Sequence, residues 1–194
     1  MVAARTRNPA LIDTLLSHGA YPMATDNNGW SILHHACEFG DVAVLPMLNR
    51  LTLDWTATVR AKIGRKWLQG ATALHIAASH EDPRILKYIL DNGYFSDIDL
   101  TTDFTQTALY VASYMGRGQN AALLLVRGAD ATICDSTNSL RRSPLHIAAG
   151  LGHQEAVMAF VDHGCDTQIK DRLGLTPESV ARSKNHLDVA NILK

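Results

Sequence analysis

Along this chain a short, thin apolar run is followed by a bulkier one, and glycine closes each. Residues 143–166, SPLHIAAGLGHQEAVMAFVDHGCD, carry the pattern in full. Leu145, Ala148 and Ala149 share one face of a first helix. Val157, Phe160 and Val161 recur at three- and four-residue spacing and form the apolar stripe of a second. Ser143 can cap the free N–H groups of the first helix, and Pro144 at its first position gives up no needed donor. Gly152 and Gly164 can take the left-handed conformation that ends a helix. Asn8-Pro9 and Asp82-Pro83 open second helices elsewhere with the same cap-and-proline signal. The predicted unit is helix, turn, helix, then a loop to the next.

The unit recurs. Thr72-Ala73-Leu74-His75-Ile76-Ala77-Ala78 and Ser31-Ile32-Leu33-His34-His35-Ala36-Cys37 open like residue 143, and Thr107-Ala108-Leu109-Tyr110 and Thr176-Pro177-Glu178-Ser179 are looser copies. The anchors Ser31, Thr72, Thr107, Ser143 and Thr176 lie 41, 35, 36 and 33 residues apart. A period near that length marks a stacked repeat array, which forms one continuous core however long it grows.

The TPLH-type tetrapeptide, the alanine pair, the mid-repeat glycine and the closing Gly-Ala-Asp (Gly19-Ala20, Gly128-Ala129-Asp130, Gly164-Cys165-Asp166) resemble the ankyrin repeat across essentially the whole chain. The resemblance implies an all-α fold, an ankyrin-repeat solenoid of stacked helix-turn-helix units with finger loops. It implies one array over 1–194: a partial repeat 1–28, repeats from about 29–69, 70–104, 105–140 and 141–173, and a C-terminal capping repeat 174–194. In that family the tetrapeptide histidine braces neighbouring repeats, a role that falls here to His34, His75 and His146. Tyr110 and Ser179 stand in the histidine position of their repeats and depart from it. Residues 2–8 match 147–153, so the chain is expected to begin inside a first helix, as a fragment of a larger protein does. Glu178 replaces the core leucine of the last repeat, as befits a cap.

Composition narrows the function. With 46% hydrophobic and 19% charged residues the chain is globular, and a net charge of -1 exerts no general pull on nucleic acid or membrane. No stretch nears the roughly 20 apolar residues of a membrane span, and no secretory signal opens the chain. Cys37, Cys134 and Cys165 lack any CxxC spacing, and Cys37 and Cys165, at positions where other repeats carry small residues, read as reduced packing residues of an intracellular protein, cytoplasmic or nuclear. The nine histidines follow no ligand spacing, and HExxH and phosphate-cradling motifs are absent. The expectation is no enzyme, no metal, no cofactor and no membrane insertion, with the isolated array monomeric.

Binding residues are sought where the copies disagree. The two positions before the mid-repeat site, which is glycine in three of the copies, read Arg5-Thr6, Glu38-Phe39, Ser79-His80, Tyr114-Met115, Gly150-Leu151 and Ser183-Lys184. By the family resemblance they fall on the concave face. Trp30, Phe39, Tyr114 and Met115 are large groups where polar ones would suffice, and aromatic anchors dominate protein interfaces. These four, together with Ser79 and His80 in the groove they edge, are the six expected partner-binding residues.

The long first spacing holds eight extra residues within 50–71, a segment with five basic residues and one acidic. Trp55, Val59, Ile63 and Trp67 recur every four residues, which predicts a short amphipathic helix that Gly64 limits in length. Pro46 should bend or shorten the helix before it. With Trp55, Arg60, Lys62, Arg65, Lys66 and Trp67, the insertion is either a docking element for an acidic partner or an elaboration covering the repeat's outer face. Residues 91–103 hold four aspartates and no Lys or Arg, which sets a phosphate backbone at a disadvantage there. The expected function is therefore recognition of another protein on the concave face and finger loops. The alternative is a scaffold that positions another domain of a larger enzyme or channel subunit. Nucleic-acid binding through 50–71 ranks below both.

Overall fold

Helix starts follow the capping chemistry. In the computed structural model, which describes residues 8–40, 42–136 and 139–194, the Asn8 side chain accepts from Leu11 N at 3.1 Å and opens α1 (Pro9–Ser17). Ser31 opens α2 (Ile32–Phe39), and α3 (Leu45–Leu48) follows as a single turn. An antiparallel hairpin of β1 (Val59–Ile63) and β2 (Lys66–Ala71) comes next. Thr72 opens α4 (Ala73–Ser79), and Asp82 caps α5 (Pro83–Asp91) by accepting from Arg84 N. Thr107 then opens α6 (Ala108–Met115), which leads into α7 (Gly118–Val126). Ser143 opens α8 (Pro144–Leu151), followed by α9 (Gln154–Asp162). Thr176 opens α10 (Pro177–Ser183), and α11 (Leu187–Ile192) closes the described chain. The proposed match of residues 2–7 to a first helix lies outside the described residues.

The inner helices α2, α4, α6, α8 and α10 stack in order, and the outer helices α5, α7, α9 and α11 form a second row behind them. Small side chains permit the inner stack: Ala36, Cys37, Ala77, Ala78, Ala112, Ser113, Ala148 and Ala149 expose no surface. One apolar cluster runs from Ile12 to Leu193, as expected of an array with a continuous core. Burial pushes the Cys37 thiol up to about 12, so it packs as a small apolar group. Two glycines show what keeps a side chain out of the mid-repeat position in their repeats. Gly116 and Gly152 end their helices at φ 70° and 75°, and a Cβ on either would lie 2.7 Å from His153 Nδ1 and 2.6 Å from His186 Nδ1. The following repeat's imidazole fills the space.

The insertion is a hairpin and not the expected helix. Val59, Ala61 and Ile63 are buried while Arg60 and Lys62 are exposed, which is a period of two. Ile63 pairs with Lys66 across a two-residue turn, and Gly64 at its first position has φ 58°. A spacing of four is even, so strand alternation satisfies it as well as a helix does. Pro46 sits in the first turn of α3, where it needs no N–H, and no helix can extend through it toward Gly40. The outer helix of this repeat is therefore four residues long, against nine in α5, α7 and α9.

Candidate functional site

The three tetrapeptide histidines are built into the helix starts. The Nδ1 of His34, His75 and His146 accepts the backbone N–H of Ser31, Thr72 and Ser143 at 3.2, 3.2 and 3.3 Å. A backbone amide can only donate, so the proton sits on Nε2, which donates to the carbonyls of Ala57, Gln106 and Leu175 at 3.1, 2.9 and 3.0 Å. Each ring thereby ties its own helix start to the next loop. Burial holds all three below the ordinary imidazole value, and His75 falls to about 4.

Tyr110 occupies the same position in its repeat, and its partner arrives from the hairpin. Lys66 Nζ, on β2, donates to Tyr110 Oη at 2.7 Å and lies 3.4 Å from Asp135 Oδ2. Gln106 Nε2 donates to the same carboxylate oxygen at 2.8 Å. Lys66 Nζ also lies 5.2 Å from the ring centres of both Tyr110 and Tyr114, whose planes are parallel to within 2°. Burial and then the nearby Asp135 charge push the Tyr110 phenol up, so it stays protonated. At the hairpin tip, a Cβ on Gly64 would lie 3.0 Å from Met115 Sδ and 3.3 Å from Tyr114 Cε1. The hairpin thus leaves the repeat of Ser31 and reaches the inner face of the repeat of Thr107.

Where it docks, the inner helices leave a depression of ≈ 420 Å³ whose lining includes Lys66, Tyr110, Tyr114, Arg142, Leu151 and Lys184. Arg142 Nε donates to Asp171 Oδ2 at 3.1 Å. Burial works against the Asp171 carboxylate, but bonds from Leu175 N, Arg142 and Leu173 N outweigh it and hold its pKa below the ordinary value.

The expected binding residues do not form one groove. Trp30 is a correction: its side chain is covered, the residue being 8% exposed, because the indole donates from Nε1 to Arg60 O of β1 at 3.0 Å and packs against the rings of His34 and His35. Phe39 is half-buried beside His35, with ring centres 6.2 Å apart. Ser79 and His80 are half-buried and fastened to the next repeat, Arg117 Nε donating to Ser79 O and Asn120 Nδ2 to His80 O. The His80 ring lies over Gly40, as His153 lies over Gly116. Of the six, Tyr114 lines the depression, with Met115 beside it under the hairpin tip.

The insertion residues separate likewise. Trp55 is buried and stacks on Tyr94, just past the outer helix α5, at 3.8 Å. Trp67 is 53% exposed with the Arg60 guanidinium 4.5 Å over its ring. Lys62 and Arg65 are exposed, and Lys66 faces the inner helices. Cover for the outer face thus describes only the Trp55 end, since the hairpin crosses to the inner side. Arg142, Leu151 and Lys184 were outside the expected set, although 151 and 184 occupy the variable positions and 142 precedes an anchor.

Comparison with known proteins gives the same architecture. Models described as ankyrin repeats match residues 1–48, 45–135 and 123–194. The chain belongs to the ankyrin-repeat family. It is 29% identical to the B-cell lymphoma 3 protein homolog of Mus musculus and 31% identical to the B-cell lymphoma 3 protein of Homo sapiens, over 97% of this chain in each case. It is also 27% identical, over 93% of its length, to the transient receptor potential cation channel subfamily A member 1 homolog of Caenorhabditis elegans. The chain spans 40% of each lymphoma protein and 14% of the channel homolog. Ankyrin repeats are generally protein–protein interaction modules and typically non-catalytic. No helix among the described residues is long and apolar enough to cross a membrane.

Proposed function

We propose that this ankyrin-repeat array recognises a partner protein on its concave, inner-helix face and performs no chemistry of its own. The observation that carries the reading is the hairpin held over that face by Lys66, which with Tyr114 and Leu151 frames a depression of ≈ 420 Å³. A rigid frame loses little freedom when a partner docks, and anchor pockets of this kind concentrate binding energy. Residues 1–194 act as one array in this reading, inside the cell, in cytoplasm or nucleus.

The competing surface lies on the outer row, where Pro83, Ala122, Leu123 and the exposed Val126 line an apolar hollow of ≈ 400 Å³. The test is proximity labelling in cells to recover a partner, followed by affinity measurements on three variants. Tyr114→Ser and Leu151→Ser are expected to weaken the complex by about tenfold, near 1.4 kcal/mol, while Val126→Ser leaves it unchanged. The reverse pattern assigns docking to the outer row and refutes the proposal. A second reading, a scaffold that positions another domain, draws support from relatives of which this chain matches only a part.

A further inference from the structure

The depression on the inner face is cationic in a specific way. Among the described residues its lining includes Lys66, Arg142 and Lys184 and no carboxylate. Two carboxylates do lie close, since Asp135 accompanies Lys66 and Asp171 accompanies Arg142. Counted as charges, they nearly cancel those two cations. Counted as surface, they do not: the Asp135 and Asp171 side chains are 0% exposed, whereas Lys66 keeps 37% of its side-chain surface and Arg142 keeps 18%. The buried acids act as tethers behind cations that face the cavity. Lys184 is exposed and pairs with no carboxylate among the described residues. His146 adds no anion site, because both of its ring nitrogens are engaged. Beside the cations lie the Tyr114 ring and the exposed Leu151 side chain, which give an apolar contact next to the charge.

We propose that an acidic peptide segment of a partner protein occupies this depression, its carboxylates among Lys66, Arg142 and Lys184 and an apolar neighbour against Tyr114 and Leu151. Charge complementarity selects the segment and speeds its encounter, and tethered cations lose little side-chain entropy on contact. A nucleic-acid backbone fits less well. It would extend beyond three cations, and the loop over 91–103 one repeat away carries four aspartates. The inference rests on the inner face being the docking surface, and the experiment separates the two.

Random dodecapeptides are displayed against the whole chain, and enriched peptides are measured by fluorescence anisotropy on wild type, Lys184→Glu and Leu151→Ser. The expected result is enrichment of Asp and Glu around an apolar residue. Lys184→Glu then weakens binding by about tenfold or more with an unchanged melting curve, and replacing the peptide's acids with Asn and Gln has the same effect. Peptides that lack acidic residues yet weaken on Leu151→Ser overturn this inference and leave the inner-face reading standing. Peptides insensitive to both substitutions, or no enrichment at all, overturn both. A single-stranded oligonucleotide that binds more tightly than the acidic peptides overturns the inference in favour of nucleic acid.

Discussion

In the repeat that begins at Ser143, the histidine of the tetrapeptide reaches the carbonyl of Leu175 and braces the next loop. In the repeat that begins at Thr107, a tyrosine stands there, and Lys66 arrives from a hairpin that left the stack two repeats earlier. The regular brace is local, neutral and closed. The substituted one is long-range and charged, with its lysine partly open to solvent. What separates them is the coordination of the departures: the arm that follows the short α3, built from the extra residues of 50–71, carries Lys66 to the Tyr110 that stands in place of histidine. Where the repeat keeps its histidine the brace closes on a backbone carbonyl, and where tyrosine replaces it the brace draws in a lysine that keeps 37% of its side-chain surface.

The tryptophan beneath the hairpin breaks this comparison most sharply. Trp30→Ala removes a side chain buried beneath β1 and should cost about 3–5 kcal/mol, as read by denaturant melts, with the hairpin released. A cost below about 1 kcal/mol would mean the indole is a surface group after all. Next in size is the charged brace. Asp135→Ala strips Lys66 and Gln106 of a shared acceptor with 0% side-chain exposure. The expected loss is about 2–4 kcal/mol, below the range for a fully buried pair because Lys66 is partly solvated.

The local brace gives a smaller effect with a pH signature. His75→Ala leaves the carbonyl of Gln106 without its donor and should cost about 1–3 kcal/mol. Burial lowers His75 from its ordinary 6.5 to about 4, so between those values the unfolded chain binds more protons than the native one. The stability that neutral His75 contributes is complete above pH 6.5 and is lost as pH falls through 4. Melting temperatures of wild type should decline across that window, and those of His75→Gln should decline less. The carboxyls of Asp82, held to about 2 by the Arg84 side chain and Arg84 N, and of Asp171 lose their stabilising ionisation only at lower pH.

Two substitutions should barely register. Ser113 stands where the repeats of Thr72 and Ser143 carry the second alanine, and its buried hydroxyl has no hydrogen-bond partner among the described residues. Ser113→Ala is therefore expected to be neutral or stabilising by up to about 1 kcal/mol in the same melts. Trp67→Ser, half exposed on β2, should change stability by about 0.5 kcal/mol or less.

The stacked fold was legible because its signals are local. A hydroxyl cap, a following leucine, paired alanines and a glycine each act within one turn, and their recurrence gave the helix pairs and the anchor histidines. The insertion was legible as an insertion but not as a hairpin, since Trp55, Val59, Ile63 and Trp67 satisfy a period of two and a period of four alike. The turn signal was present in Gly64-Arg65, flanked by the alternating VRAKI and KWLQGA. The site was least legible. Trp30 varies in sequence position by position like a surface residue, yet its cover comes from a strand some 30 residues away. Lys66, Tyr110 and Asp135 are separated by 44 and 25 residues, and only the path of the hairpin brings them together.

Hydrogen–deuterium exchange of the free and partner-bound chain tests most directly whether the hairpin-framed inner face is where a partner docks. The account predicts that binding slows exchange at the hairpin turn and the C-terminal ends of α6 and α8, with α5 and α7 of the outer row unchanged. Protection confined to α5 and α7, with the hairpin and the inner helices unaffected, would contradict it.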